Sequence, residues 1–137
     1  MGVYAVTTMV RNERSSIRDK AVVTGGVLRD SDVSGNAVVS DDAYILSSYV
    51  FDHAQVIQHA TIRDGSKIYG HAVVSGNSYV EENSEVYGHA FVLEQACVDV
   101  NSKVYGAAIL QGAAAVYGHS KVQGNVNLSG HVNIYRS

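Results

Sequence analysis

Histidine is the residue type whose chemistry stands out in this chain. Three of the six histidines lie in a recurring phrase, Tyr-Gly-His-Ala at 69–72 and 87–90 and Tyr-Gly-His-Ser at 117–120. An imidazole titrates close to neutral pH, so it can accept a proton from a substrate or return one. Imidazole nitrogens are also common zinc ligands. Proton transfer and metal binding are therefore the two kinds of chemistry to consider.

The spacing of this phrase indicates which elements hold it. Its copies begin eighteen and then thirty residues apart, and both intervals are multiples of six. An unbroken six-residue series of branched aliphatic residues runs from Val56 to Ile134. The residue two positions before each aliphatic is Ala or Ser until Val126 and Val132 break that rule. Such a regular period predicts a repeat architecture.

Side-chain alternation explains the period. Residues two apart in a strand point to the same face, so the small residue and the aliphatic both point inward. Gly commonly follows two positions after the aliphatic, and His or Asn often comes next. We expect these residues to form a corner, because they tolerate a positive φ. The chain is therefore predicted to be all-β, with short strands that pair in parallel from one coil to the next.

This pattern resembles the hexapeptide repeat of the left-handed parallel β-helix superfamily, the fold of the trimeric UDP-N-acetylglucosamine acyltransferase. The resemblance covers residues from about 21 to 137 and implies a single-stranded, triangular helix with three hexads, about eighteen residues, per coil. Family repeats commonly place Gly directly after the aliphatic. Here Gly comes one position later, as it does in uncharacterised bacterial members. A right-handed, bactofilin-like helix is the alternative fold.

The six-residue period is interrupted toward the N-terminus. The step from Ile45 to Val50 is five residues, and the step across residues 23–33 is ten. Residues 1–20 do not keep the frame, and we expect them to close one end of the stack, because an open coil is an unpaired edge. The predicted organisation is an N-terminal cap over 1–20 and a hexapeptide-repeat β-helix over 21–137.

Eighteen-residue spacing stacks outward side chains into ladders. The phrase containing Tyr87 and His89 thereby recurs at one corner, and an apolar column runs along the next face. Outward positions of a solenoid are usually polar, so an apolar column indicates a contact surface. Members of the family are typically trimers packed along such faces, and we therefore predict a homotrimer. β-propensity on a tolerant surface is the alternative explanation. The predicted interface comprises Val73, Phe91, Leu93, Ile109, Tyr69, Tyr87 and Tyr105.

The resemblance also suggests an activity. Acyltransferases of this superfamily use a histidine as general base at the groove between subunits, which implies that role for His71 and His89, with acyl-CoA as co-substrate. A corner preference competes with this hypothesis, because His alternates with Asn at the same position. Stacked imidazoles suggest zinc, yet the chain has no His-x4-His pair. We therefore predict no metal site and no cofactor.

The composition of the chain disfavours several classes of binding partner. The formal net charge is −3 and no basic cluster occurs, which disfavours nucleic acid and anionic membranes. No apolar run approaches the length of a membrane span, and the start lacks the pattern of a signal peptide. The single Cys97 favours a reducing, cytoplasmic setting. The prediction is a homo-oligomeric β-helical scaffold or binding module that holds a ligand or partner along its outer face or in inter-subunit grooves. A CoA-dependent acyltransferase is the alternative.

Overall fold

The computed structural model describes residues 5–6 and 11–135. Short strands alternate with tight corners, and that part of the chain contains no helix, hence none that could span a membrane. Most strands are two residues long, because each hexad places one outward residue and one inward aliphatic on a face and uses the rest for the corner. In β12 (Lys67–Ile68), for example, Ile68 is buried and Lys67 is exposed.

The strands form three parallel sheets, and each sheet takes every third strand along the chain. Sheet A contains β1 (Ala5–Val6), β4 (Val22–Val23), β7 (Val38–Val39), β10 (Gln55–Val56), β13 (Val73–Val74), β16 (Phe91–Val92), β19 (Ile109–Leu110) and β22 (Asn127–Leu128). Sheet B contains β2 (Arg11–Glu13), β5 (Val27–Arg29), β8 (Tyr44–Leu46), β11 (Thr61–Ile62), β14 (Tyr79–Val80), β17 (Cys97–Val98), β20 (Ala115–Tyr117) and β23 (Asn133–Tyr135). Sheet C contains β3 (Ser16–Ile17), β6 (Asp32–Val33), β9 (Tyr49–Val50), β12, β15 (Glu85–Val86), β18 (Lys103–Val104) and β21 (Lys121–Val122).

Three sheets wound in this order make a triangular solenoid. In the later coils each residue pairs with the one eighteen positions on, as Lys67 does with Glu85. The predicted fold class, an all-β left-handed parallel β-helix with about eighteen residues per coil, is confirmed. The strands β1, β2 and β3 also join the three sheets, by pairing with β4, β5 and β6. The N-terminal cap over 1–20 stays a prediction, and its residues 1–4 and 7–10 lie outside the described residues.

The slips in the period come from shorter early coils. Val22 pairs with Val38, sixteen residues on, and Val38 pairs with Gln55, seventeen residues on. The ten-residue gap seen in the sequence contains one more inward residue, Leu28, which is fully buried. Two five-residue steps therefore replace two hexads there, and the coil stays closed.

The core is a single column of small and branched aliphatic side chains inside the triangle. The hexad aliphatics from Val56 to Val116 are all 0% exposed, and so are the alanines that precede several of them. Gly closes many of the corners. Gly76 has a φ of 75°, and a Cβ there would lie 2.6 Å from the backbone nitrogen of Glu94 in the next coil. A side chain at Gly76 would therefore require the backbone of the next coil to shift.

Candidate functional site

Sheet A presents its outward side chains as one column along the helix axis. Val73 pairs with Phe91 and Phe91 with Ile109, as the eighteen-residue spacing predicts. The same register continues through residues that the spacing did not identify. We call this column the lateral strip, and it consists of Val22, Val38, Gln55, Val73, Phe91 and Ile109.

Val22 and Val38 were missed from sequence for a clear reason. Stepping by eighteen from the later coils leaves both valines out of the column, because the coils that contain them have sixteen and seventeen residues. A local signal was nevertheless present. Each valine directly precedes an inward aliphatic, as Phe91 directly precedes Val92.

The lateral strip is apolar but not covered. Phe91 is 39% exposed, and Val73 and Ile109 are half-buried by their neighbours in the column. Leu93, the remaining aliphatic of the predicted interface, is half-buried two residues beyond Phe91, at the start of the next corner. Five of the six residues of the strip are hydrophobic, and Gln55 alone is polar. The strip thus offers a hydrophobic surface from Val73 to Ile109, and the exposed Gln55 separates this part from Val22 and Val38.

A stack of aromatic rings borders the strip at the corner between sheets C and A. Phe51, Tyr69, Tyr87 and Tyr105 lie face to face, with ring centroids 4.8 Å apart and planes within 3° of parallel. We call them the tyrosine ladder, and its predicted register is confirmed. The Tyr69 hydroxyl donates to Glu85 Oε1 at 2.7 Å.

The environment of Tyr69 and Tyr87 favours the protonated form of both phenols. Burial raises the pKa of Tyr69 well above its usual value, and the hydrogen bond to Glu85 raises it further. Burial also raises the pKa of Tyr87, with a contribution from Tyr105. Tyr69 and Tyr87 are therefore neutral side chains that would not act as general bases.

The histidine ladder lies two residues further along the same corner. The His53 and His71 rings stack at 4.8 Å, and the His71 and His89 rings at 5.0 Å. All three side chains are exposed. The expected positive φ is absent from the histidines of this corner, where Gly70 and Gly88 adopt it instead of His71 and His89. The expectation does hold at His119, whose φ is 62°.

This arrangement limits the chemistry of the histidines. Two imidazole nitrogens that share a tetrahedral zinc ion lie about 3.4 Å apart, since each Zn–N bond is about 2.05 Å. Parallel rings at 4.8–5.0 Å exceed that separation. A catalytic base also needs a partner that orients it, and among residues 11–135 no hydrogen bond is formed by the ring of His71 or His89. General-base catalysis by these histidines stays a prediction.

A second group of reactive side chains lies on sheet B. The ligand atoms of Glu81, Cys97 and Asp99 are within 4.8 Å of one another. Burial raises the pKa of the Cys97 thiol to about 11, and the charges of Asp99 and Glu81 add to this effect. Burial also raises the pKa of Asp99, helped by Glu82. Cys97 is half-buried, and its raised pKa disfavours the thiolate.

The corner between sheets A and B carries two shallow grooves, each with a volume of about 450 Å³. Gly76 and Asn77 contribute to both, and the walls are otherwise mostly polar. Ligand pockets of this volume normally enclose their ligand between apolar walls. These grooves are open, so they do not define a site for a small molecule within one chain.

Comparison of the sequence with protein-family models finds no match, and a search among curated proteins finds none either. The class of protein is therefore defined by its fold: a three-faced parallel β-solenoid. A fold of this kind does not by itself specify an activity. Functional inference consequently rests on the surface features described above.

Proposed function

We propose that this protein is a homo-oligomeric β-helical scaffold or binding module, assembled as a trimer through the lateral strip. The observation that carries the proposal is the strip itself, an outward column over six coils that is apolar at every position except Gln55. Three such strips packed around a threefold axis would bury apolar surface that is exposed to solvent in a monomer.

The size of the strip is sufficient for association. Burial of apolar surface contributes about 25 cal/mol per Å². A few hundred Å² per subunit, on the order of one face of the triangle, would contribute several kcal/mol, enough for assembly at micromolar concentration. The two ladders beside the strip add rigid rings that lose little conformational entropy on contact.

The same geometry suggests where a ligand or protein partner would be held. Packing along sheet A would bring the tyrosine and histidine ladders of one subunit to the edge of its neighbour, and so line an inter-subunit groove. Planar rings at 4.8 Å intervals offer repeated hydrophobic edges with polar tips. We place this function in the cytoplasm, without a cofactor.

Association through the strip is tested with the double variant Phe91→Glu, Ile109→Glu. We expect light scattering to give a trimer for the unmodified chain and a monomer for the variant, because each subunit would bring two charges into the contact. The far-ultraviolet β signal should be retained, since both side chains point outward.

A matched control carries Tyr44→Glu and Tyr79→Glu on sheet B. Both tyrosines are exposed, at 42% and 46%, and they lie on another face of the triangle. This control should remain trimeric. A monomeric unmodified chain, or equal dissociation of both double variants, would reject assembly through the strip. Binding of acetyl-CoA in calorimetry would instead favour the acyltransferase alternative.

A further inference from the structure

Assembly through the lateral strip would bring two particular corners of the solenoid together. Each face takes one hexad, and six residues at about 3.3 Å each make it about 20 Å wide. Three faces of that width, joined edge to edge around a threefold axis, each lie about 6 Å from it, close to half of the roughly 10 Å that separates packed sheets. The side chains of the strip would therefore fill the centre as the edges of neighbouring faces come into contact.

Threefold symmetry determines which edges meet. Sheet A lies between sheet C and sheet B, because the chain passes through the faces in a fixed order. Rotation about the axis brings the corner between sheets C and A of one subunit against the corner between sheets A and B of the next. The rotation does not change height along the helix axis, so residues of the same coil face one another.

The side chains at these two corners are compatible in shape. The corner between sheets C and A carries the projecting rings of the histidine ladder, and the corner between sheets A and B carries the two shallow grooves. In the coil of His71 the facing residues are Gly76 and Asn77, which line both grooves. Two coils further on the ladder ends at Ala107, and Gly112 faces it. The rings of one subunit would thus enter the grooves of its neighbour.

The facing polar groups are complementary in the coil of His89. The residue opposite this imidazole is Glu94, whose side chain is exposed. No ion pair in the part of the chain that the structure describes involves the Glu94 carboxylate, and the His89 ring forms no hydrogen bond there. An imidazole donates to a carboxylate, and the bond is stronger when the imidazole is protonated. Each group therefore offers what the other lacks within one chain.

The coil of His53 places no unbalanced charge at the joint. The residues that face it are Gln58 and His59. The Nδ1 atom of His59 lies 3.6 Å from Asp42 Oδ2 in its own chain, so a carboxylate accompanies that imidazole.

We propose that the histidine ladder of one subunit docks against the corner between sheets A and B of the next, with His89 hydrogen-bonded to Glu94 across the joint. The inference rests on the proposed trimer and identifies what covers the ladder, a second copy of the chain. The two residues differ in height by about 1 Å, because five residues separate them in a coil that rises by about 4.8 Å over eighteen. Each trimer contains three such contacts.

The first test is a charge exchange, with assembly measured by sedimentation over a concentration series. Glu94→Lys removes the acceptor, and His89→Glu opposes two carboxylates. Each single variant should raise the concentration at which half of the trimer dissociates by about 10-fold, since all three contacts change together. The double variant again opposes unlike charges and should return that concentration to within about threefold of its original value.

Glu82→Lys is the matched control for Glu94→Lys. Glu82 is also exposed, and its φ of 54° is close to the 60° of Glu94. It lies at the corner between sheets B and C, which points away from the threefold axis. This variant should assemble as the unmodified chain does.

The second test is disulfide cross-linking in chains that carry Cys97→Ser. The pair His89→Cys and Glu94→Cys should give a covalent trimer in denaturing electrophoresis without reductant. A disulfide needs Cα atoms within about 7 Å of each other, so it cannot join these positions within one chain, where they lie at opposite edges of sheet A. The pair His89→Cys and Glu82→Cys should give no covalent trimer.

Two results overturn the docking while leaving the proposed function in place. They are a trimer that is lost in Phe91→Glu, Ile109→Glu but unaffected by either single charge variant, and a trimer that the His89 and Glu94 cysteines do not cross-link. Failure of the charge exchange to restore assembly lost in the single variants also overturns the pairing. An unmodified chain that stays monomeric overturns both the trimer and the docking.

Discussion

At the scale of single residues, an outward position in this solenoid need not be solvated. Cys97 points away from the core, yet it lies between Tyr79 and Ala115 of the adjacent coils and beside Asp99 on its own strand edge. Burial and neighbouring carboxylates both disfavour a thiolate. The 4.8 Å stacking of the ladders has the same cause, because side chains in successive coils stand directly over one another.

The reactivity of Cys97 follows from this environment. Its pKa is raised from 9.0 to about 11, and only the thiolate reacts with an alkylating agent. At pH 8 the folded chain should therefore react about 100-fold more slowly than the chain unfolded in urea. Because the folded pKa is the higher one, the rate for folded protein should keep rising with pH until about 11 instead of levelling near 9.

The variant Asp99→Asn tests the electrostatic part of this explanation. Removing the Asp99 charge should lower the pKa of Cys97 and so accelerate alkylation at pH 8. Equal rates for folded and unfolded protein, with a plateau near pH 9, would show that Cys97 is an ordinary exposed thiol.

At the scale of elements, the small inward residues have two distinct roles. At the corner between sheets B and C they are serines, and each buried hydroxyl accepts the N–H of the serine in the next coil. The Ser102 amide donates to Ser84 Oγ and the Ser120 amide to Ser102 Oγ, both at 3.2 Å. At the corner entering sheet A the same position is Ala, as at Ala72 and Ala90. Serine is therefore needed where an amide lacks a backbone acceptor.

Replacing one of these serines by alanine should therefore lower the stability of the protein. In Ser84→Ala the buried amide of Ser102 loses its acceptor, which should lower the free energy of unfolding by about 1–3 kcal/mol. Urea denaturation measures the change. Ser78→Ala is the matched control, because Ser78 is equally buried but stacks between Ala60 and Ala96 and only donates, to the carbonyls of Ser75 and Val92. A cost at Ser78 equal to that at Ser84 would contradict the assignment.

At the scale of the whole molecule, stability depends on position along the stack. Each coil contacts only its neighbours, so a defect in the middle affects coils on both sides, whereas a defect at the end affects one. Ile68 in β12 is fully buried between Val50 and Val86, and Ile134 in β23 is only partly buried beside Val116. These two inward isoleucines differ chiefly in where they lie.

We therefore expect Ile68→Asp and Ile134→Asp to behave differently. An unpaired carboxylate inside the triangle is strongly unfavourable, so Ile68→Asp should yield no folded soluble protein. Ile134→Asp should keep most of the far-ultraviolet β signal and unfold only residues 121–135. Circular dichroism and amide hydrogen exchange would report both effects. Complete unfolding by Ile134→Asp would show that the solenoid folds as a single all-or-none unit.

The sequence by itself determined which side of the chain faces inward from Val56 to Ile134, and hence the fold class, the ladders and the apolar column through Phe91. Alternation and hexad spacing are local properties, so they can be read without coordinates. The tertiary structure alone revealed Leu28 as an inward residue, extended the lateral strip to Val22 and Val38, and showed that Gly70 and Gly88, not His71 and His89, carry the positive φ at their corner. These features depend on the register between coils, which is set by hydrogen bonds linking residues sixteen to eighteen positions apart. The sequence located the interruptions of the period, but only the pairing between coils shows that the shortened coils still close.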